Sequence, residues 1–306
     1  MELRHIRYFL AVAEELNFTR AAEKLNIAQP PLSRQIQDLE RELGVSLFVR
    51  KSRSLLLTEE GSRFQQYARQ ILRLVDKSAE ELREMRHGLQ GTLYLATVEG
   101  HGPWLFSKWI AGFQKQYPQV QYNLWNGNSD DVTDRVMNRL CDLAVIAEPH
   151  NAEGLHALPV FQEPWIAMIP ADHPLAQIEG DTMDLVRLSP YDLIVPSRVS
   201  RIREIEGWFS ALGKEPHIRC QVAHMVNACK LTEQGVGISI YPASAADLVQ
   251  GNSICIRKLI NPAVTAAYVL VWKKDSHLSR VAQEFLRYVY ALQNPDSKSS
   301  ETRKFH

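Results

Sequence analysis

Residues 16–53 read LNFTRAAEKLNIAQPPLSRQIQDLERELGVSLFVRKSR, and their pattern decides the fold of the amino-terminal part. Thr19 has the residue type of a helix N-cap, and Arg20 to Leu25 are mostly helix formers. Ala21 and Ala22 are small enough for two helices to cross closely. Asn26-Ile27 breaks the run, and Ala28-Gln29-Pro30-Pro31 restarts it with prolines where a first helical turn tolerates them. From Leu32 the apolar residues Leu32, Ile36, Leu39 and Leu43 recur at steps of three and four, which marks one buried face. Gln29, Ser33, Arg34 and Gln37 fall off that stripe and point outward. Gly44 stops the helix. Leu47-Phe48-Val49 and Leu55-Leu56-Leu57 then flank Arg50-Lys51-Ser52-Arg53, a short hairpin with a cationic tip.

Two helices followed by a basic hairpin predict a winged helix-turn-helix, in which the start of the second helix enters the DNA major groove. The side chains suit that role. Gln29 and Gln37 can pair with adenine, Arg34 with the acceptors of guanine, and Ser33 with a base or a phosphate. Pro30 stands at the same helix end. Thr19 can add a phosphate hydrogen bond, and Arg50, Lys51 and Arg53 suit phosphate neutralisation. The same pattern also suits a small helical bundle with a solvated charged face.

The opening MELRHIRYFLAVAEELNFTRAAEKLNIAQPPLSRQIQDLERELGVSLFVR closely resembles the DNA-binding domain of LysR-type transcriptional regulators. The matching positions are Leu3, Tyr8, Phe9 and Val12, then Phe18-Thr19 with Ala21-Ala22, and Gln29-Pro30, Leu32-Ser33 and Gln35-Ile36. They continue through Leu39-Glu40, Leu43-Gly44, Leu47-Phe48, Arg50, Leu57-Thr58 and Gly61. The wording IAQPPLSRQI is most like members that control catabolism of aromatic compounds, the muconate- and benzoate-responsive subgroup. The resemblance implies a bacterial, cytoplasmic, oligomeric regulator, an activator or a repressor, that binds double-stranded promoter DNA and answers to a small molecule. RNA polymerase is a further partner it suggests.

At 306 residues the chain is too long for one ordinary core and predicts two or three domains. Its 35 basic and 35 acidic residues cancel, so affinity for DNA must come from a local patch, and residues 50–53 hold the densest cations. Cys141, Cys220, Cys229 and Cys255 show no ligand spacing and read as reduced thiols. Neither an export signal nor a membrane-spanning run is evident, which predicts a soluble cytoplasmic protein.

In chain order, a first helix is expected over roughly residues 3–16, its apolar face made by Leu3, Ile6, Phe9, Leu10, Val12 and Ala13. The winged domain occupies 1–58, and Thr58 caps a long linker helix over 59–90 with Glu59 and Glu60 beside its dipole. Phe64, Ala68, Ile71, Val75, Ser78, Leu82, Met85 and Leu89 form a narrow heptad-like seam. A seam without a globular body of its own predicts a partner helix and so a dimer, with packing on its own chain as the alternative.

From residue 91 strands and helices alternate, which predicts parallel sheets with crossover helices. The expected fold class is thus α/β: a winged helix-turn-helix, a linker helix, and two lobes. Lobe I spans about 91–162 and 266–292, lobe II about 163–265, and the polar tail from Asn294 is expected to be disordered. This layout resembles the periplasmic-binding-protein-like effector domain of the same family, whose dimers associate into tetramers.

In such lobes a ligand sits at the carboxyl ends of strands. The resemblance therefore places Glu99, Gly100 and His101, Asn128 and Ser129, Ala147, Ser197 and Arg198, and His224 in an effector cleft. Muconate- and benzoate-type regulators usually carry a hydroxyl where Glu99-Gly100 stands here, and some carry an arginine where Ala147 stands. Arg198, Arg201 and Arg203 are then the candidate cations, while Glu99 facing the cleft would oppose a dianion. Otherwise Glu99 caps the next helix, and His101 and His224 are ordinary hydrogen-bonded residues.

Other motifs are weak. Gly235-Val236-Gly237 lacks a third glycine, the histidines have no metal spacing, and GxSxG, HExxH and P-loop patterns are missing. Neither a cofactor nor a metal is expected. An enzyme on the α/β lobes is supported by fold alone. A regulator that binds DNA constitutively, its second domain serving only assembly, is the other alternative.

Overall fold

The computed structural model describes residues 1–51, 54–87, 89–150, 153–274 and 277–293. The chain divides into two compact units, Met1–Gly91 with Asn138–Leu140, and Thr92–Met137 with the residues from Cys141 onward.

The first unit opens with α1 (Leu3–Glu15), α2 (Phe18–Lys24) and α3 (Gln29–Leu43). An antiparallel hairpin of β1 (Phe48–Lys51) and β2 (Ser54–Leu57) follows, and then α4 (Glu59–His87). Asn17 caps α2, its carboxamide oxygen accepting from the N–H groups of Thr19 and Arg20 at 2.9 and 3.1 Å. The cap expected at Thr19 therefore stands two residues earlier, at Asn17. Asn17 already reaches both amides, and Thr19 lies inside the first turn.

Leu32, Ile36 and Leu39 of α3 are buried with Ile6, Phe9 and Val12 of α1 and Ala21 and Ala22 of α2. The Phe9 ring anchors this core, with its centroid 5.3 Å from Phe48 and 4.8 Å from Phe64. Leu3, expected on the same face, is 41% exposed in the first turn of α1. Gly44 ends α3 with φ 71°, a conformation that favours glycine.

Thr58 caps α4, as expected: its Oγ1 accepts from the N–H of Gly61 at 2.8 Å and donates to the carbonyl of Ser46 at 2.7 Å. A Cβ on Gly61 would lie 2.0 Å from the carbonyl oxygen of Leu47, so only glycine lets α4 start this close to the wing. Phe64, Ala68 and Ile71 pack into the unit's own core. The body the seam was expected to lack is thus supplied, for this half of α4, by α1 and its neighbours. Tyr67 and Leu74, the latter 63% exposed, remain uncovered on α4. The side chains of Leu82 and Met85, and the tail from Asn294, lie outside the described residues.

In the second unit, β3 (Gly91–Val98), α5 (His101–Gln116), β4 (Val120–Gly127), α6 (Ser129–Met137) and β5 (Leu143–Ala147) follow the expected alternation. Next comes β6 (Leu155–Pro170), a single strand of 16 residues. Then follow β7 (Thr182–Asp184), β8 (Asp192–Pro196), α7 (Val199–Ser210), β9 (His217–Val222), α8 (Met225–Glu233) and β10 (Ile238–Pro242). The last elements are β11 (Ile254–Ile260), β12 (Thr265–Lys273) and α9 (Arg280–Gln293).

Strand pairing explains how two lobes form. Leu155 to Pro164 of β6 pair antiparallel with β12, which pairs with β5, which runs parallel to β3. Trp165 to Pro170 of the same strand lie between β10 and β11. The two lobes therefore exchange partners along β6, at Pro164-Trp165, with no loop between them. In lobe I, Phe113 of α5 meets Phe285 of α9 edge-on at 5.1 Å, which returns the carboxyl-terminal helix to the first lobe. Strands β7 and β11 were not read from the sequence, because Arg257 and Lys258 interrupt an apolar run whose pairing with β6 is non-local. Among the described residues no helix is long and apolar enough to cross a membrane.

Candidate functional site

Two regions carry chemistry, one in each unit. On α3, Pro30, Arg34 and Gln37 are exposed, and Gln29 and Ser33 are half-buried, opposite the buried stripe. Ala28 gives α3 no side-chain cap, and Pro30 and Pro31 in its first turn carry no N–H that would need one. The wing is held to this helix by Glu40, whose Oε1 accepts from the N–H groups of Leu47 at 2.7 Å and Phe48 at 3.1 Å. Glu40 therefore fixes where the wing stands relative to α3. Its position seven residues before Leu47 was the available signal. Thr19 is in the first turn of α2, its side chain exposed. The backbone of Arg50 and Lys51 lies in β1, while their side chains and all of Arg53 lie outside the described residues.

In the second unit the interlobe cleft is crossed by side chains from both sides. Glu99 leaves lobe I after β3 and reaches α8 of lobe II. Its Oε1 meets His224 Nδ1 at 2.5 Å, and its Oε2 accepts from the N–H of Met225 at 3.0 Å. Glu99 was expected in the effector cleft, with a cap on the next helix, α5, as the alternative. It caps α8 instead, which has no cap from its own N-cap residue His224. Arg198, at the start of α7 in lobe II, donates from Nη2 to Asp130 Oδ1 on α6 of lobe I at 2.9 Å. Asp130 is largely exposed, so this pair contributes only about 0–1 kcal/mol and acts on geometry more than on stability.

Beneath these bridges, Glu163 is buried beside the exchange point of β6. It accepts from Tyr268 Oη (2.6 Å), Ser244 Oγ (2.8 Å) and the Ser244 N–H (2.7 Å), joining both lobes. Burial, and next the charge of Glu163, push the Tyr268 hydroxyl far above the usual tyrosine range, so it remains a donor. Gly100 takes φ +92°, and a Cβ there would stand 2.7 Å from Tyr268 Oη. The His101 ring stacks on Phe161 with centroids 3.6 Å apart and planes 4° from parallel. Burial holds His101 below the usual histidine range, against the opposing charges of Glu163 and Asp247. Glu163 was missed in the sequence; an acid inside an apolar strand was the signal.

The remaining cleft residues divide. Ser129 is buried, with its Oγ 3.5 Å from the carbonyl oxygen of Ala147, which pairs with Tyr268. Asn128 spends its carboxamide capping α6, accepting from the N–H groups of Asp130 and Asp131 at 2.9 Å each. Ser197 is exposed, its N–H on the Val222 carbonyl at 3.0 Å. Arg201 is withdrawn from the candidate cations: it is buried in lobe II, paired with Glu204 at 2.6 Å and lying over Trp165. Arg203 is exposed on α7. Among the described residues no cluster of three or more histidine, cysteine or acidic residues could hold a metal.

Residues 3–62 match the family described as bacterial regulatory helix-turn-helix protein, lysR family, and residues 86–293 match the LysR substrate binding domain. The chain is 34% identical to the HTH-type transcriptional regulator YnfL of Escherichia coli strain K12, over 93% of this chain and 96% of that protein. It is 31% identical to the HTH-type transcriptional regulator BenM of Acinetobacter baylyi, over 96% of this chain and 97% of BenM. Among solved structures it is similar to full-length CbnR complexed with its target DNA. There the TM-score is 0.77 at 27% identity, covering 95% of this chain and 99% of CbnR. Matched across both units, the chain belongs to the LysR family of bacterial transcriptional regulators.

Proposed function

We propose that this protein is a cytoplasmic regulator that binds promoter DNA through α3 and the wing, and is controlled by a small organic acid held between its two lobes. The carrying observation is the row Gln29, Pro30, Ser33, Arg34 and Gln37, presented on the amino-terminal half of α3 while the opposite face is buried. Carboxamide, guanidinium and hydroxyl groups along that face match base edges. CbnR, similar over almost the whole chain, has been solved with its target DNA, which supports this reading.

The working division is a DNA-binding domain at 1–58, a linker helix at 59–90 and an effector domain from 91. Tyr67 and Leu74, exposed one heptad apart on α4, support pairing of two linker helices, and such dimers associate into tetramers. Binding of an aromatic or ring-cleavage acid would favour one arrangement of the lobes over another, and only differential affinity for the two can shift that balance. A footprint on DNA upstream of its own and the neighbouring gene, with and without a panel of such acids, tests both parts. A dyad-symmetric protected site that shortens or shifts with one acid is expected. Folded protein that protects no site would overturn the reading.

A further inference from the structure

We propose that the cleft contains a subsite for one carboxylate, built by Arg198 and Ser200 of lobe II and His150 of lobe I. The proposal rests on the effector reading above and adds the charge and the polar group of the molecule bound. Buried donors in folded proteins are nearly always satisfied. Arg198, 16% exposed as a side chain, spends Nη2 on Asp130, yet its Nε and Nη1 are buried with no partner. Ser200 Oγ, two residues along, is buried and unpartnered too. From the other lobe His150 brings two ring nitrogens in the same condition, close enough to feel the charge of Arg198. Helix α7 starts here with no side-chain cap, so its first amides add donors.

The chemistry of this group selects its occupant. It is rich in donors and carries a fixed cation, which calls for an anionic oxygen acceptor. Burial, and secondarily Arg198, hold His150 below the usual histidine range against the pull of Glu148. A neutral imidazole offers one N–H and contributes no second positive charge. Lobe I sets Asp130 on Arg198 and Glu148 beside His150, so a second negative charge on the ligand would meet carboxylates. One carboxylate on an otherwise neutral body fits; a dicarboxylate does not.

Calorimetric titration of the full-length protein tests this with matched probes: propanoate and benzoate, their amides propanamide and benzamide, then succinate and sulfate. At least one monocarboxylate should bind saturably, its amide not measurably, and succinate and sulfate more weakly. Arg198→Gln should weaken the carboxylate by about 10- to 100-fold, the loss expected for hydrogen bonds to a charged group. Asp130→Asn should strengthen it, because it frees the guanidinium; a merely structural Arg198–Asp130 pair would respond alike to both changes. If Arg198→Gln alters the unfolding profile, Ser200→Ala takes its place and should weaken binding several-fold.

Amides binding as well as acids, sulfate or succinate matching the best acid, unchanged affinity in the variants, or no heat from any acid would overturn the subsite. An uncharged compound that shifts the DNA footprint would leave the effector reading standing without the subsite. Carboxylate binding that depends on Arg198 but never alters the footprint would do the reverse.

Discussion

Replacing Gly61 with alanine sets two effects of opposite sign against each other. Gly61 lies in the first turn of α4, where alanine gains about 1 kcal/mol of helix propensity. Against that, the new Cβ stands 2.0 Å from Leu47 O and 2.9 Å from Leu47 C. A carbon–oxygen contact relaxes at about 3.3 Å, so α4 and the wing backbone must part by more than 1 Å. Both partners are backbone, and neither can rotate away. That shift strains the Thr58 bonds to Gly61 and Ser46, a cap worth about 1 kcal/mol, and loosens Phe64 and Ala68 against Phe9. With overpacking at roughly 1–3 kcal/mol, the net change is a loss of about 1–3 kcal/mol. Gly207, inside α7 with open space around it, provides the control: Gly207→Ala should stabilise by up to about 1 kcal/mol. The two units can be followed separately, because all six tryptophans lie between residues 104 and 272. Urea unfolding by tryptophan fluorescence should show Gly207→Ala raised and Gly61→Ala unmoved. Far-ultraviolet circular dichroism should show an early loss for Gly61→Ala alone. A Gly61→Ala protein as stable as its parent by both signals would refute the close-approach argument.

Three further outcomes are expected. Arg34→Ala should cost about 1–3 kcal/mol on specific DNA with little effect on random DNA, whereas Lys51→Ala should weaken both alike and flatten the salt slope by about one phosphate. Equal effects of both changes in a fluorescence-anisotropy titration would remove the base-reading role of Arg34. Glu40→Ala leaves the N–H groups of Leu47 and Phe48 without their acceptor and should destabilise the first unit by roughly 1–3 kcal/mol, measured by the same dichroism transition. Stability of the second unit should rise with pH through the histidine range. Burial lowers the folded-state pKa of His101, His150 and His173, so the unfolded chain binds more protons there and stability is lost as pH falls below the usual histidine value. Tryptophan-monitored unfolding across that range should show a shallower slope in His101→Gln; an unchanged slope would exclude His101 as a source.

The sequence by itself determined what depends on neighbours within one or two turns. The buried stripe of α3 is legible in Leu32, Ile36 and Leu39, its end in Gly44, and the start of α4 in Thr58, because periodicity and capping act over three or four residues. The alternation of strands and helices that makes two α/β lobes was legible for the same reason. Even locally, competition went unread: Asn17, two residues before Thr19, capped the helix and left Thr19 inside its first turn. What the sequence left open was decided by contacts between distant residues. Whether Phe64 and Ala68 met their own core or another helix depended on where α1 lay. Which helix Glu99 capped depended on a partner 125 residues away, and the orientation of Arg198 on an aspartate 68 residues away. No periodicity encodes such pairs. They arise because β6 passes unbroken from one lobe to the other and brings the ends of separate strands to one cleft, so the chemistry there belongs to the tertiary structure.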